Sequence, residues 1–190
     1  PIPALIQLCA DQQVFLVDPT RIGDFTPLIS LFADNKLIKV MHSCVEDLEV
    51  FKQLGVCLPT PVFDTQIAAA MCELGFSMSY SRLVEECTGK LLNKSETRSD
   101  WLQRPLSDSQ YQYAIDDVLW LPEIYQQLSD QLKQKQRLDW CRQECDRLIN
   151  DGEKEADPEQ AYLRFKSAWR LDNRQLLKLR TLASWREYQA

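Results

Sequence analysis

The sequence predicts an α/β domain followed by the beginning of a small all-α domain. Short apolar runs typical of strands alternate with helical patterns over the first third of the chain, and only helical patterns follow. Residues 150–160 are polar and charged, as in an interdomain linker, and two more helical patterns come after them. We therefore predict an α/β domain at 1–150, a linker at 151–160 and part of a helical domain at 161–190.

The individual elements follow from periodicity and from helix-end signals. Strand patterns lie at 4–9, 14–18, 37–42 and 61–64, and the first two flank a polar turn, as in a hairpin. Helical patterns lie at 24–34, 44–55, 65–74, 79–89, 107–121, 130–150, 161–169 and 173–188. Gly55 and Gly89 predict helix ends. Ser107 and Gln110 predict a capping box, and Pro122 predicts a kink or a restart.

Composition excludes several classes of protein. No apolar run is long enough to span a bilayer and no signal segment opens the chain, so we expect no membrane partner. The seven cysteines include no CxxC pair, which favours reduced thiols and a cytoplasmic protein. The chain begins without Met in strand-like residues, and we interpret this as a chain cut into from its N-terminal side.

The charge is divided unevenly. Residues 161–190 carry a net charge of +5, against −6 for the whole chain, so the other 160 residues carry −11. An acidic body joined to a basic segment indicates a polyanionic partner for that segment.

Two neighbouring aspartates in the 107–121 helix have different environments. On a helical projection Asp117 falls within the apolar sector, beside Leu121 and Leu128, whereas Asp116 falls on the polar edge. Because a lone carboxylate is costly to bury, Asp117 needs a compensating partner.

Asp47 repeats this pattern on another helix. It shares a stripe with Val50, Phe51 and Leu54, while Glu46 points away. Two inward aspartates on separate helices could share a divalent cation. Alternatively, one caps a helix and the other pairs with an arginine of the 98–104 loop.

Two other residues complete the candidate site. Tyr113 lies four residues before Asp117 on the same face, where a phenol could orient a metal-bound water. Core packing is the alternative. The single histidine, His42, cannot build a His/Cys zinc site alone, and a structural role at a strand end is favoured.

Four segments resemble the bacterial ribonuclease D family, in the tyrosine branch of the DEDD 3′→5′ exonucleases. They are HSCVEDLEVF at 42–51, FDTQIAAA at 63–70, NKSETRSDWLQRPLSDSQYQYAIDDVLWL at 93–121 and DNRQLLKLRTLASWR at 172–186. The resemblance covers essentially the whole chain in collinear order. It implies a ribonuclease-H-like (DnaQ-like) exonuclease fold with two Mg²⁺ or Mn²⁺ ions held by four acidic residues.

The resemblance also assigns roles to individual residues. Asp47 and Asp117 match the third and fourth acidic ligands, and Tyr113 matches the tyrosine that positions the nucleophilic water. The first motif, an Asp-x-Glu on a central strand, has no counterpart here, so we expect weak metal binding and little nuclease activity. Residues from Asp157 onward resemble the start of the helical HRDC domain, which is expected to hold the RNA backbone.

Three basic loop residues have two possible roles. Lys94, Arg98 and Arg104 either contact substrate phosphate or pair with the acidic body. Asp64 is interpreted as a helix cap rather than a ligand, and Trp101 as a packing residue rather than a base-stacking one.

The preferred function is metal-dependent trimming of RNA 3′ ends, on tRNA precursors and other small structured RNAs, by a monomer. Two alternatives stay open: an exonuclease acting on DNA, and a noncatalytic RNA-binding module. Activity on matched RNA and DNA oligonucleotides separates the first from the preferred hypothesis, and an upstream Asp-x-Glu would argue against the second.

Overall fold

Strands and helices alternate along the first part of the chain, as the pattern predicts. The computed structural model describes residues 3–55, 61–93, 95–153 and 158–189, and it divides the chain into two units, Pro1–Gly152 and Glu153–Ala190. The strands of the first unit are β1 Ile6–Ala10, β2 Gln13–Val17, β3 Lys39–Met41 and β4 Val62–Asp64. Its helices are α1 Thr26–Ala33, α2 Val45–Gln53, α3 Thr65–Met71, α4 Tyr80–Thr88, α5 Asp108–Leu119, α6 Leu121–Gln134 and α7 Leu138–Glu153.

The strands form two separate pairs. β1 and β2 are antiparallel, and Ala10 faces Gln13 across a turn in which Asp11 and Gln12 adopt positive φ angles of 49° and 64°. This confirms the predicted hairpin, because two left-handed residues match the twist of the flanking strands. β3 and β4 are parallel, and Met41 faces Asp64. Among the described residues, each sheet contains two strands.

The predicted helix ends at 89, 107 and 122 are confirmed. The Ser107 hydroxyl accepts the Gln110 N–H at 3.2 Å, and the Gln110 side-chain oxygen accepts the Ser107 N–H at 2.9 Å. Gly89 ends α4 with a φ of 70°, a conformation that glycine adopts without strain. A new helix also begins beside Pro122, as predicted. Trp120 is both the C-cap residue of α5 and the N-cap residue of α6, and Pro122 lies in the first turn of α6.

The core of the first unit is built from α3, α4, α6 and α7. Leu83, Ile124, Leu128 and Leu132 are fully buried there. Cys141 and Cys145 of α7 are buried in the same cluster and, like the other described cysteines, are free thiols. Since buried thiols behave as small hydrophobes, their role in this part of the chain is packing.

The second unit departs from the prediction of a helix at 161–169. The chain instead forms two 3₁₀ helices, Pro158–Arg164 and Ala168–Arg170, followed by α8 at Asn173–Gln189. Backbone bonds span three residues here, as from the Phe165 N–H to the Tyr162 oxygen at 3.2 Å. Contacts with α8 account for the difference, since Ala161 is fully buried and the Glu159 carboxylate accepts the Ser184 hydroxyl at 2.9 Å.

The segment predicted as a linker is partly helical. Residues 151–153 belong to the last turn of α7, residues 158–160 open the first 3₁₀ helix, and 154–157 lie outside the described residues.

Candidate active site

Asp47 and Asp117 line one cavity of about 350 Å³ in the first unit. Asp47 stands in the first turn of α2, and Asp117 near the end of α5. The structure therefore brings together the two carboxylates that periodicity selected on separate helices. The other lining residues are Leu5, Ile6, Gln7, Val40, Met41, His42, Val50, Phe51, Leu54, Tyr80, Val118 and Leu121.

Asp47 lines this cavity but is exposed to solvent, so the predicted inward orientation is only partly realised. Desolvation of its carboxyl is nevertheless the largest cause that raises its pKa to about 6. The neighbouring charges of Glu46 and Asp64 add to the rise. The side chain is open to a ligand from solution and sits in a negative environment.

Asp117 and Asp116 separate as predicted, although Asp116 is half-buried rather than fully solvated. Burial raises the pKa of Asp117 to about 6, and the charge of Asp116 contributes. Asp116 accepts a hydrogen bond at 3.1 Å from the Gln112 amide, one turn earlier on the outer face. With pKa values near 6, Asp47 and Asp117 are both mainly ionised at neutral pH.

The carboxylates of Asp47 and Asp117 are suitable ligands for a divalent cation, but they form only part of a complete ligand set. Hard cations such as Mg²⁺ take carboxylate oxygens together with water and phosphate oxygens. In the described part of the chain, no group of three or more His, Cys, Asp or Glu side chains is assembled to hold a metal. Asp47 and Asp117 can therefore supply two ligands, and further oxygens must come from elsewhere.

Tyr113, one helical turn before Asp117 on α5, is not among the residues that line the cavity. Its ring packs against Trp101 with 5.7 Å between centroids, and its hydroxyl lies 3.4 Å from the Thr97 hydroxyl. The Trp101 indole N–H donates to the Glu96 carbonyl at 3.2 Å. Trp101 is half-buried, in agreement with the packing role favoured for it, and the 95–101 loop covers the tyrosine.

Arg104 is engaged within the protein. Its Nε donates to the Asp18 carboxylate at 2.6 Å, and other guanidinium N–H groups donate to the carbonyls of Ala4 and Trp101 at 2.7 and 2.8 Å. Both side chains of the ion pair are half-buried, and the hydrogen bond from Arg104 is the main cause that holds the pKa of Asp18 well below its usual range. Of its two predicted roles, Arg104 therefore has the pairing with the acidic body. To contact substrate phosphate, its side chain would have to break these hydrogen bonds.

The other two basic residues predicted to contact substrate phosphate are Arg98 and Lys94. Arg98 is exposed on the same loop, so its predicted contact with substrate phosphate stays a prediction. Lys94 lies outside the described residues.

His42 has a structural role. Its Nδ1 lies 2.9 Å from the Thr65 hydroxyl and its Nε2 lies 3.1 Å from the Met78 carbonyl oxygen. Burial lowers its pKa, which favours the neutral ring. Both ring nitrogens are thus occupied, in agreement with the interpretation as a strand-end residue.

Asp64 is the predicted helix cap, and it does more than cap α3. Its carboxylate accepts the N–H groups of Gln66 and Ile67 at the start of α3, at 2.8 and 3.3 Å. It also accepts those of Ser43 and Cys44 at the start of α2, at 3.1 and 2.9 Å. This second pair of hydrogen bonds was not predicted from the sequence, because local spacing does not reveal a partner 20 residues away.

Tyr80 is another residue of the site that was not predicted from the sequence. It lines the cavity with the two aspartates, and its hydroxyl donates to the Asp116 carbonyl oxygen at 3.2 Å. The only sequence signal is an aromatic residue at the start of a helix, which is too common to point to a site.

A model of 3′-5′ exonuclease domains matches residues 2–133, which is more than half of the chain. The chain belongs to this family of 3′-5′ exonucleases. The predicted ribonuclease-H-like α/β fold is confirmed by likeness to a solved structure, that of Escherichia coli RNase D, described as an exoribonuclease involved in structured RNA processing. That match has a TM-score of 0.84 and 38% identity, and covers 98% of this chain and 50% of that one.

Two sequence relatives extend the comparison. Ribonuclease D of Shewanella sp. (strain ANA-3) is 43% identical over 182 residues, 96% of this chain and 47% of the relative. Ribonuclease D of Pseudomonas paraeruginosa is 44% identical over 190 residues, 100% of this chain and 50% of the relative. The chain thus spans about half the length of these relatives, and the predicted resemblance to ribonuclease D is confirmed.

No helix in the described ranges combines the length and the apolar character needed to cross a membrane.

Proposed function

We propose that this chain supplies the Asp47–Asp117 part of the active site of a metal-dependent 3′→5′ exoribonuclease. The observation that carries the proposal is that two carboxylates from separate helices line one cavity in a chain of the 3′-5′ exonuclease family. The reaction is hydrolysis of the terminal phosphodiester, which releases a nucleoside 5′-monophosphate. The RNAs are small and structured, such as tRNA precursors, as the resemblance to ribonuclease D implies.

Each candidate residue has a distinct task in this reaction. Asp47 and Asp117 would hold Mg²⁺ or Mn²⁺, and the bound cations supply charge stabilisation for the attacking and leaving oxygens. Tyr113 would orient the attacking water with its phenol, after moving from Trp101 and Thr97 toward the cavity. We assign the phenol to positioning of the water rather than to proton abstraction.

We propose that a further strand, between β1 and β3, completes the exonuclease sheet. Residues of both strands line the 350 Å³ cavity, and both also line a second cavity of about 420 Å³. This second cavity is walled mainly by apolar side chains, including Phe32, Phe51 and Tyr125. An apolar space between two strand edges suits an inserted strand, which would satisfy the unpaired backbone groups. The two other acidic ligands implied by the resemblance would come with it.

We propose that the second unit, as the start of an HRDC domain, holds the RNA backbone. The basic side chains of this unit that are exposed are Arg164, Lys166, Arg170, Arg174, Lys178, Arg180 and Arg186. Trp169 is 77% exposed, and the Arg170 guanidinium lies 4.9 Å from its ring centroid. Cationic groups beside an open aromatic face suit a single-stranded polyanion.

The cation site can be tested on the chain itself. Mn²⁺ titration followed by electron paramagnetic resonance should show weak binding that Asp47→Asn and Asp117→Asn each abolish. The matched control is Asp116→Asn, which removes the neighbouring carboxylate on the outer face. Equal loss in all three variants would show a general charge effect and contradict the proposed site.

Catalysis requires the complete sheet. A chimera that carries the strand and the Asp-x-Glu segment of a ribonuclease D relative before Pro1 should release nucleoside monophosphates from a 3′-tailed RNA with Mg²⁺. The same chimera on a matched DNA oligonucleotide separates an RNA enzyme from a DNA exonuclease. Binding of RNA without hydrolysis would favour the noncatalytic module.

A further inference from the structure

Tyr80, the first residue of α4, connects the two walls of the cavity that carry the aspartates. Its ring centroid lies 5.5 Å from that of His42, and the ring planes are tilted by 60°. His42 comes directly after β3 and precedes α2, which carries Asp47. On the other side, the Tyr80 hydroxyl donates to the carbonyl oxygen of Asp116 at 3.2 Å. One side chain therefore contacts both parts of the chain that present a carboxylate.

The Tyr80 hydroxyl meets α5 where the helix ends. The N–H of Trp120, four residues beyond Asp116, points to the carbonyl of Val118. Carbonyls of a last helical turn need hydrogen-bond donors from outside the helix, and the phenol supplies one for Asp116. Burial raises the pKa of Tyr80 well above its usual value. The hydroxyl thus stays protonated and remains a donor.

The opposite contact of Tyr80 is with a fixed surface. His42 is held through both ring nitrogens, by Thr65 and by the Met78 carbonyl. In the neutral ring, Nε2–H donates to the Met78 carbonyl and Nδ1 accepts from the Thr65 hydroxyl, whose oxygen also lies 3.0 Å from the Met41 carbonyl oxygen of β3. A shift of Tyr80 would therefore move the end of α5 rather than the end of β3.

We propose that Tyr80 is a positioning residue for the cation site and sets the place of Asp117 relative to Asp47. This inference rests on the proposed function, in which the two aspartates hold the cation. Tyr80 acts through the Asp116 carbonyl, one residue before the ligand, and through its ring contact with His42. Its hydroxyl binds neither carboxylate, so its effect is on geometry.

The test compares Mn²⁺ binding to the chain and to Tyr80→Phe. This variant keeps the ring and the cavity volume but loses the bond to Asp116. We expect the dissociation constant to rise by roughly 2- to 10-fold, the range spanned by one neutral hydrogen bond. The paramagnetic resonance spectrum of the bound Mn²⁺ should also change, because the ligand geometry relaxes. A role in stability alone would leave that spectrum unchanged.

The matched control is Tyr125→Phe, a half-buried tyrosine on α6 that packs edge-on against Phe63 with 4.9 Å between centroids. It should bind Mn²⁺ as the unaltered chain does. Unchanged affinity and spectrum in Tyr80→Phe, with binding lost in Asp47→Asn and Asp117→Asn, would overturn the positioning role while the cation site stands. An affinity that neither aspartate variant lowers would refute the cation site, and the positioning role with it.

Discussion

The backbone N–H of Cys44 donates to Oδ2 of Asp64 at 2.9 Å. Asp64 is almost completely buried, and this bond joins the start of α2 to the end of β4 across 20 residues of sequence. Asp47 lies three residues beyond Cys44. The candidate ligand is thus fixed to the sheet by a buried charge that is not itself a ligand.

Replacement of Asp64 should therefore destabilise the first unit. Asp64→Asn keeps the size of the side chain but loses the charge that accepts four backbone N–H groups. We expect the free energy of unfolding to fall by about 2–3 kcal/mol, typical for hydrogen bonds to a charged group. Urea denaturation measures it, and Asp24→Asn, an exposed carboxylate that accepts the Thr26 N–H at 2.8 Å, is the control. If the free energy of unfolding fell as much in Asp24→Asn as in Asp64→Asn, the stabilising role of Asp64 would be contradicted.

The raised pKa values of Asp47 and Asp117 predict how stability depends on pH. Both carboxyls have a pKa of about 6 in the folded chain against 3.8 unfolded, so the folded state holds these protons more tightly. The stabilising contribution is complete below pH 3.8 and is lost as the pH rises through 6. At pH 7.5 without divalent cations, Asp117→Asn should be more stable than the unaltered chain by on the order of 1 kcal/mol. Denaturation at about pH 7.5 and about pH 3.8 checks this, and a gain that persists at the lower pH would exclude the carboxylate as its cause.

Tyr113→Phe should separate positioning of water from binding of metal. The phenol is not a predicted ligand, so Mn²⁺ affinity should stay within about 2-fold, less than one lost hydrogen bond typically costs. In the chimera with the complete sheet, the rate of nucleotide release should fall by roughly 10²-fold, as when the attacking group is no longer held in position. Tyr111→Phe, on the exposed face of the same helix, is the control. An equal fall in affinity and rate would instead place Tyr113 among the ligands.

Arg104 and Arg98 should behave differently although they share one loop. Arg104→Ala removes the 2.6 Å ion pair with Asp18 and the bonds to the Ala4 and Trp101 carbonyls, and leaves Asp18 only its contacts with Thr20 and Arg21. We therefore expect a lower midpoint of urea denaturation. Arg98→Ala removes an exposed side chain and should change stability by less than about 0.5 kcal/mol. If Arg98 contacts phosphate, its removal should instead weaken RNA binding, which fluorescence anisotropy measures. Equal stability of the two variants would contradict the structural role of Arg104.

RNA binding by the second unit should depend strongly on salt. Replacing Arg174 and Lys178 by Ala should lower affinity for a single-stranded RNA and reduce the salt slope by about 0.7 for each phosphate that is no longer neutralised. Arg142→Ala on α7, which pairs with Asp139 at 3.4 Å, removes a matched charge outside the unit. A salt slope unchanged in the double variant would place the RNA-binding surface elsewhere.

The order of strands and helices up to α5, the caps at Ser107 and Gly89, and the different orientations of Asp116 and Asp117 could be predicted from the residue pattern. These features depend on local rules: a period of 3.6 or 2 residues, the capping groups within about three positions of a helix end, and the cost of burying a charge. Two helices that each carry an aspartate on an apolar stripe were therefore enough to suggest a shared site. The predicted helix at 130–150 was wrong, because the helix breaks between α6 and α7 at 135–137.

What each side chain meets depends instead on tertiary structure. Arg104 pairs with Asp18, 86 residues earlier, Tyr113 rests on Trp101 outside the cavity, and Tyr80 joins the two walls. The segment predicted as a helix at 161–169 forms two short 3₁₀ helices, and the first of them contacts α8 through Ala161 and the neighbouring Glu159. Periodicity reports which face of an element is apolar, whereas the partner of that face is set by contacts between residues far apart in sequence, which a local pattern does not encode.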